Sequence, residues 1–271
     1  MFFLTAILIF GIGLCLGSFI NVVILRMKSG RQFFKGRSCC PKCQKQIFWY
    51  DNIPILSFIL LKGKCRFCHK KISWQYPIVE LVIAVLFLTA FFLTFSQEKI
   101  IFDNFLVNFH DYPSIILVKL VRNWFFILIL AIIFIYDLKY RIIPDQISLP
   151  SIILAILFNL ACGFSFINLL ISSIIGSVFF LIQFLISRGR WIGGGDIRLG
   201  ALMGAMLGWP NVVVALFLAY VIGSIVSIGL VMFKNKHWKA EIPFAPFLTL
   251  GTLLSLFYGF EILHWYFSLT F

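Results

Sequence analysis

Along most of this chain apolar residues run on without the alternation of a half-buried strand, and only short polar stretches interrupt them. Runs of about 17 to 25 apolar residues are long enough to cross the roughly 30 Å hydrocarbon core of a bilayer as helices. Because the runs are continuous, a transmembrane β-barrel is not expected. The pattern predicts spans at 3–25, 77–96, 115–136, 146–162, 166–187, 197–208, 211–233 and 245–267, the sixth being the shortest. The expected fold class is an all-α polytopic membrane protein of about eight transmembrane helices. One polar stretch is long enough to fold apart from the lipid. The chain therefore reads as a first transmembrane helix over 1–25, a small cytoplasmic subdomain over 26–76 and a transmembrane domain over 77–271.

Composition agrees, since 61% of the 271 residues are hydrophobic and 33 are Phe. A mean hydropathy of +1.02 lies beyond what a water-soluble domain of this length shows. The opening MFFLTAILIFGIGLCLGSFINVVILR has no basic residue before its apolar run and basic residues after it. That argues against a cleaved signal peptide and for a first span with its N-terminus outside. Of the 23 Lys and Arg residues, 20 fall in the segment 26–71 or in the loops near 137–145, 188–198 and 234–239, all on one side of the predicted membrane. This is the cytoplasmic side by the positive-inside rule. The net charge of +13 is thus explained by topology and by contact with anionic lipid. No basic stripe with aromatic spacing stands apart from these loops, so nucleic acid is not an expected partner.

Within the polar stretch, SCCPKCQKQ and KCRFCHKK each carry a CxxC pair, Cys40 with Cys43 and Cys65 with Cys68, and 21 residues lie between Cys43 and Cys65. Two tight turns that each aim two sulfurs at one point are what tetrahedral zinc requires. In a cytoplasmic setting thiols stay reduced, which disfavours structural disulfides. A zinc-ribbon-like subdomain with structural Zn2+ on Cys40, Cys43, Cys65 and Cys68 is expected, against a redox pair or unliganded cysteines, with Cys39 an alternative at the Cys40 corner and His69 a surface residue or a substitute fourth ligand. A closed four-sulfur site has no open coordination position, so catalysis must lie elsewhere.

Ten residues are acidic. Asp137 and Asp145 in IYDLKYRIIPD, and Asp196 in WIGGGD, stand at the cytoplasmic edges of spans, where an ionisable group is costly. Asp145 after Pro144 reads as a helix cap. Asp196 can cap the helix expected to start at Ile197, but its three preceding glycines also remove bulk, so that a substrate backbone could lie against it. Asp137 ends a helix, where negative charge is unfavourable, and needs another reason. Two carboxylates that share a proton at one water would supply it, acting as base and acid on a carbonyl. No GxSxG elbow or HExxH spacing offers another nucleophile or metal base. Proton- or cation-coupled transport through the same aspartates is the alternative, and a membrane-anchored zinc-binding module is a third reading.

These residues resemble the type IV prepilin peptidases, the leader peptidase/N-methyltransferases, which are intramembrane aspartic proteases of the GxGD type. The likeness rests on GSFINVVILR (17–26), the paired CxxC loop, DNIPILSFILLKGKCRFC (51–68), ISWQYPIVE (72–80), DLKYRIIPD (137–145), GGGD ending at Asp196, and IPFAPF (242–247). Ala245 and the MKSG after Arg26 depart from the family pattern, which expects Gly and a nearby Pro there. The resemblance implies Asp137 and Asp196 as the catalytic pair. It further implies cleavage after Gly of the basic leader of prepilin or pseudopilin precursors, on the cytoplasmic side of the bacterial inner membrane. N-methylation of the new terminus by S-adenosylmethionine follows, and no loop here marks the methyl-donor site. Glu80, where the loop returns to the membrane, is a candidate for that site, with packing or capping the preferred reading.

Overall fold

A computed structural model describes residues 2–30, 36–104, 112–234 and 243–270. Arg31, Lys35, Lys236, Lys239 and Ile242, which figured in the charge map and motifs above, and Asp111 and Glu241 of the ten acids fall outside these residues. Among the described residues every extended element is a helix, and β-pairing is confined to two isolated bridges. The helices are α1 (Phe2–Lys28), α2 (Leu56–Leu60), α3 (Gln75–Asn104), α4 (Tyr112–Tyr140), α5 (Asp145–Ala161), α6 (Phe166–Ser187), α7 (Gly194–Leu207), α8 (Asn211–Lys234) and α9 (Ala245–Thr270). Apolar sequences of this length have no other option in lipid, because only a helix satisfies its backbone groups within one segment.

Six of the helices, α1, α3, α4, α6, α8 and α9, are long and apolar enough to cross a membrane. Six of the eight expected spans thus have full spanning length; the other two, α5 and α7, have 17 and 14 residues, about 25 and 21 Å at a rise of 1.5 Å per residue.

The chain forms two compact units, Met1–Ser96 and Gln97–Phe271. In the first, α1 and α3 run antiparallel at close range. A methyl group on Gly13 would sit 2.6 Å from the Cα of Ala84, and one on Gly17 would sit 2.7 Å from the Cα of Glu80. Gln75 donates to the buried Asn21 at 3.0 Å, which fastens the start of α3 to α1. The polar loop between them folds as two small turns, a 3-10 turn over Trp49–Asn52 and the short α2. Ile55, just before α2, has φ 59°, a left-handed conformation that a β-branched side chain resists. Its N–H donates to the Glu80 carboxylate at 2.8 Å. Glu80 is therefore a packing and capping residue, as its position in the sequence indicates.

In the second unit α7 is the central element. Most of its side chains from Leu199 to Leu207 are buried, packed with Phe126, Ile133, Phe180, Val212 and Leu248. Glycines let α6 and α7 touch backbone to backbone. A methyl on Gly176 would run into the Gly200 carbonyl, and one on Gly204 into the carbonyl of Ser172. This is the small-residue packing by which membrane helices gain van der Waals contact without a hydrophobic driving force. The end of α7 is closed from outside: fully buried Asn159 of α5 donates to the Ala205 and Met206 carbonyls at 2.7 and 3.0 Å. Arg122 of α4 donates in turn to Asn159 Oδ1 at 3.1 Å.

Candidate active site and candidate metal centre

Asp137 stands one turn from the end of α4, after WFFILILAIIFIY, and is buried. The helix closes just beyond it through the Arg141 N–H, which donates to the Asp137 carbonyl at 2.8 Å while Arg141 turns to φ 54°. Asp196 stands in the first turn of α7 and is also buried. Its amide donates to the Gly193 carbonyl at 3.1 Å, and the Gly193 amide donates back to Asp196 Oδ2 at 3.1 Å. Asp196 is not the N-cap expected of it: Gly193 holds that position, α7 starts at Gly194 and not at Ile197, and Asp196 closes the cap from the third helical position. Gly195 has a separate reason: a side chain there would press within 3.0 Å of Ile143 Cβ. The IIP segment between α4 and α5 thus packs directly onto the entrance of α7.

The tertiary fold brings these two carboxylates into one electrostatic neighbourhood. The charge of Asp137 acts on Asp196, and the charge of Arg141 acts on Asp137. Asp145 is elsewhere. It is exposed, Pro144 occupies the N-cap of α5, and no side chain caps that helix. Its carboxylate pairs with the Arg198 guanidinium. The capping role expected for Asp145 is therefore replaced by a clamp between the starts of α5 and α7, because Arg198 lies within the first two turns of α7.

Sequence reasoning missed the polar pair beside Asp196. The charge of Asp196 reaches Tyr220 of α8, whose hydroxyl donates to Gln183 Oε1 of α6 at 2.8 Å. The Tyr220 ring packs against Phe244 and Phe179, with centroids 5.1 and 5.8 Å away. The signal was present, since Gln183 and Tyr220 interrupt otherwise apolar spans, where a polar side chain calls for a partner.

In the first unit the structure gathers the sulfurs of Cys40, Cys43, Cys65 and Cys68 within 4.8 Å of one another. Cys40 Sγ lies 4.0 Å from Cys68 Sγ. Zinc–sulfur bonds of about 2.3 Å in a tetrahedron put the sulfurs roughly 3.8 Å apart, so the set fits such an ion with little adjustment. The two turns repeat each other. The Cys40 and Cys65 amides donate to the Lys45 and Lys70 carbonyls at 3.0 Å, and the Gln44 and His69 amides return to the Cys40 and Cys65 carbonyls at 2.9 Å. Gln44 and His69 take the left-handed position in each turn, at φ 61° and 54°. His69 is exposed there and outside the sulfur set, and Cys39, whose backbone forms a bridge with Gln46, is outside that set too. Backbone N–H groups of Cys68 and Phe67 hold the Cys65 thiol down to about 7. The Lys45 amide favours the Cys43 thiolate, yet desolvation and the three neighbouring sulfurs push that thiol up to about 11. Four adjacent sulfurs become thiolates together only around a cation.

Comparison with known proteins follows the same division. Residues 11–94 match the bacterial peptidase A24 N-terminal domain, and residues 124–228 match the type IV leader peptidase family. The first match contains the four cysteines, the second both aspartates. The prepilin leader peptidase/N-methyltransferase of Aeromonas salmonicida (strain A449) is 32% identical over 293 residues, covering 96% of this chain and 93% of its own. That of Bacillus subtilis (strain 168) is 30% identical over 262 residues, covering 96% of each. That of Neisseria gonorrhoeae is 32% identical over 272 residues, covering 89% of this chain and 86% of its own. No solved structure matches the chain.

Proposed function

This chain belongs to the prepilin leader peptidase/N-methyltransferase family, an integral membrane peptidase with methyltransferase activity, and we propose that Asp137 and Asp196 are its hydrolytic pair. The substrates are type IV prepilin or pseudopilin precursors, each a basic leader followed by an apolar helix. The observation that carries this reading is the burial of two carboxylates from separate helices, close enough for the charge of one to act on the other.

Two such groups cannot both carry charge cheaply, so one is ionised and the other protonated. The ionised carboxylate takes a proton from a water held between them, and the resulting hydroxide attacks the scissile carbonyl carbon. The protonated carboxylate gives its proton to the carbonyl oxygen. Collapse of the tetrahedral intermediate breaks the C–N bond as the leaving nitrogen takes up the proton gained from water and a hydroxyl of the intermediate returns its proton to the second carboxylate. A glycine before the scissile bond loosens the substrate helix and opens its carbonyl to the pair. The clustering of Lys and Arg supports a reading in which this chemistry takes place on the cytoplasmic face of the inner membrane, with the N-terminus outside.

The four cysteines hold structural Zn2+, which stabilises the loop and leaves no open position for substrate. Methylation would draw on S-adenosylmethionine, which when bound would supply an electrophilic methyl group to the neutral amine of the new N-terminus and leave as S-adenosylhomocysteine, one proton being released. The names of the relatives favour hydrolysis over proton or cation transport through the same aspartates.

Mass spectrometry of a precursor incubated with the purified protein and S-adenosylmethionine tests both reactions. The expected products are a leader peptide ending in Gly and a mature chain heavier by one methyl group. An intact precursor, in lipid as in detergent, would overturn the peptidase reading.

A further inference from the structure

A cavity of about 300 Å³ opens beside α1 in the first unit. One wall is a single face of that helix, on which Cys15, Phe19, Val22 and Arg26 follow one another at turn spacing. The opposite wall is the polar loop, through Gly36, Ser38, Asn52 and Pro54. Its polarity runs along α1. Arg26 lies at one end, where its Nη2 donates to the Gly36 carbonyl at 2.7 Å, with Ser38 nearby in sequence. Cys15 lies 11 residues deeper, or about 16 Å along the helix axis, and Phe19 and Val22 fill the interval. Ser18, the polar residue in that deeper half, bonds to the Glu80 carboxylate.

Two observations put the deeper half in hydrocarbon. Ile55 is tied to Glu80 at 2.8 Å, and Glu80 backs onto Gly17, which places the start of α2 about 13 Å inside the basic end of α1. From there α2 turns Leu56, Ile59 and Leu60 outward on one face, 53%, 64% and 72% exposed. Trp49 and Trp74, also outward, flank it, as aromatic residues do at a membrane boundary. Such a face has acyl chains for its neighbours. The charge is complementary: residues 26–71 hold twelve Lys and Arg, and their one acid, Asp51, is taken by Arg66 in two bonds of 2.7 Å.

We propose that this cavity is the site of one anionic glycerophospholipid. Its phosphate lies against Arg26 and Ser38, and one acyl chain runs down the Phe19–Val22 face of α1. The Arg26 guanidinium brings a permanent positive charge to that end of the cavity. A nucleoside-bearing ligand such as the methyl donor needs polar partners along its whole length, whereas Ser18 in the deeper half is engaged by Glu80 and its neighbours along α1 are Cys15, Phe19 and Val22.

Native mass spectrometry of the full-length protein released from detergent tests the site. We expect one phosphatidylglycerol to stay bound per chain, preferred over phosphatidylcholine of the same acyl length by roughly fivefold, the equivalent of one basic contact near the headgroup. Ser38→Glu, which adds a like charge at the headgroup end, should abolish the preference. Val22→Trp, which fills the apolar end without touching charge, should abolish retention of either lipid, and zinc content equal to the wild type would verify that each variant is folded. Glycerol 1-phosphate, a soluble headgroup, should leave the lipid in place. Equal retention of the two lipids, or retention unchanged in both variants, would overturn the proposal. Displacement by glycerol 1-phosphate would reduce the site to an anion pocket, and displacement by S-adenosylmethionine would assign it to the methyl donor.

Discussion

The carboxylate of Asp196 accepts the Gly193 amide at 3.1 Å while standing in the field of Asp137, which arrives from the far end of another helix. One backbone hydrogen bond thus fixes the orientation of one acid, and the fold of α4 supplies the other. Asp137→Asn and Asp196→Asn should each lower the rate of precursor cleavage by about a thousandfold or more, and the double variant should be little worse than either, because members of a catalytic pair act as a unit. A gel assay on variants that melt like the wild type checks this. Substantial cleavage by either single variant would end the assignment.

The thiolate cluster should lose its metal on acidification. A zinc ligand must be deprotonated, so metal binding is favoured above the ligand pKa values and lost as pH falls through them. Of the two shifted thiols Cys65, held at about 7, gives up its proton first, and Cys43, at about 11 without an ion, depends most on the cation. Metal analysis across a pH series should show zinc retained at neutral pH and released in acid. Cys43→Ser should release it at a higher pH than the wild type.

Gly204 faces the carbonyl of Ser172 across the α6–α7 contact. Gly204→Val would force the helices apart and should destabilise the second unit by about 3 kcal/mol or more, at the upper end for overpacking. Gly229, with open space around it, should accept Ala within about 0.5 kcal/mol or gain slightly. Thermal unfolding in the same detergent would compare the two, and equal melting temperatures would contradict the crossing.

Ile55 holds a left-handed conformation against its own branching, and Glu80 keeps it there. Glu80→Ala should cost about 1–3 kcal/mol, because it removes the acceptor of that amide. Ile55→Gly, which relieves strain of about 1–3 kcal/mol, should be nearly neutral although it deletes a whole side chain. Denaturation of the two variants would check the contrast.

Much of this was legible in the chain. Lengths of apolar sequence named the six full spans, since the bilayer imposes its own ruler, and the spacing of Cys40, Cys43, Cys65 and Cys68 defined the sulfur set because each CxxC is a local turn. The placement of charge singled out Asp137 and Asp196, since no apolar segment carries a carboxylate without a reason. Local rules failed where a partner comes from far along the chain. Asp145 follows a proline as a cap would, but Arg198 claims it. The start of α7 moved one turn earlier because Gly193 and Asp196 close a ring of reciprocal bonds.

Periodicity, length and residue type, read alone, determined that the chain is helical and membrane-embedded, which cysteines gather and which acids are out of place, because each follows from energies local to one segment. Only the tertiary structure decided that the charge of Asp137 acts on Asp196, that Asp196 acts in turn on Tyr220, and that Tyr220 bonds to Gln183. Those facts depend on helix crossings set by Gly176, Gly200 and Gly204 and on the carbonyls that Asn159 caps, contacts between residues that no one-dimensional pattern joins.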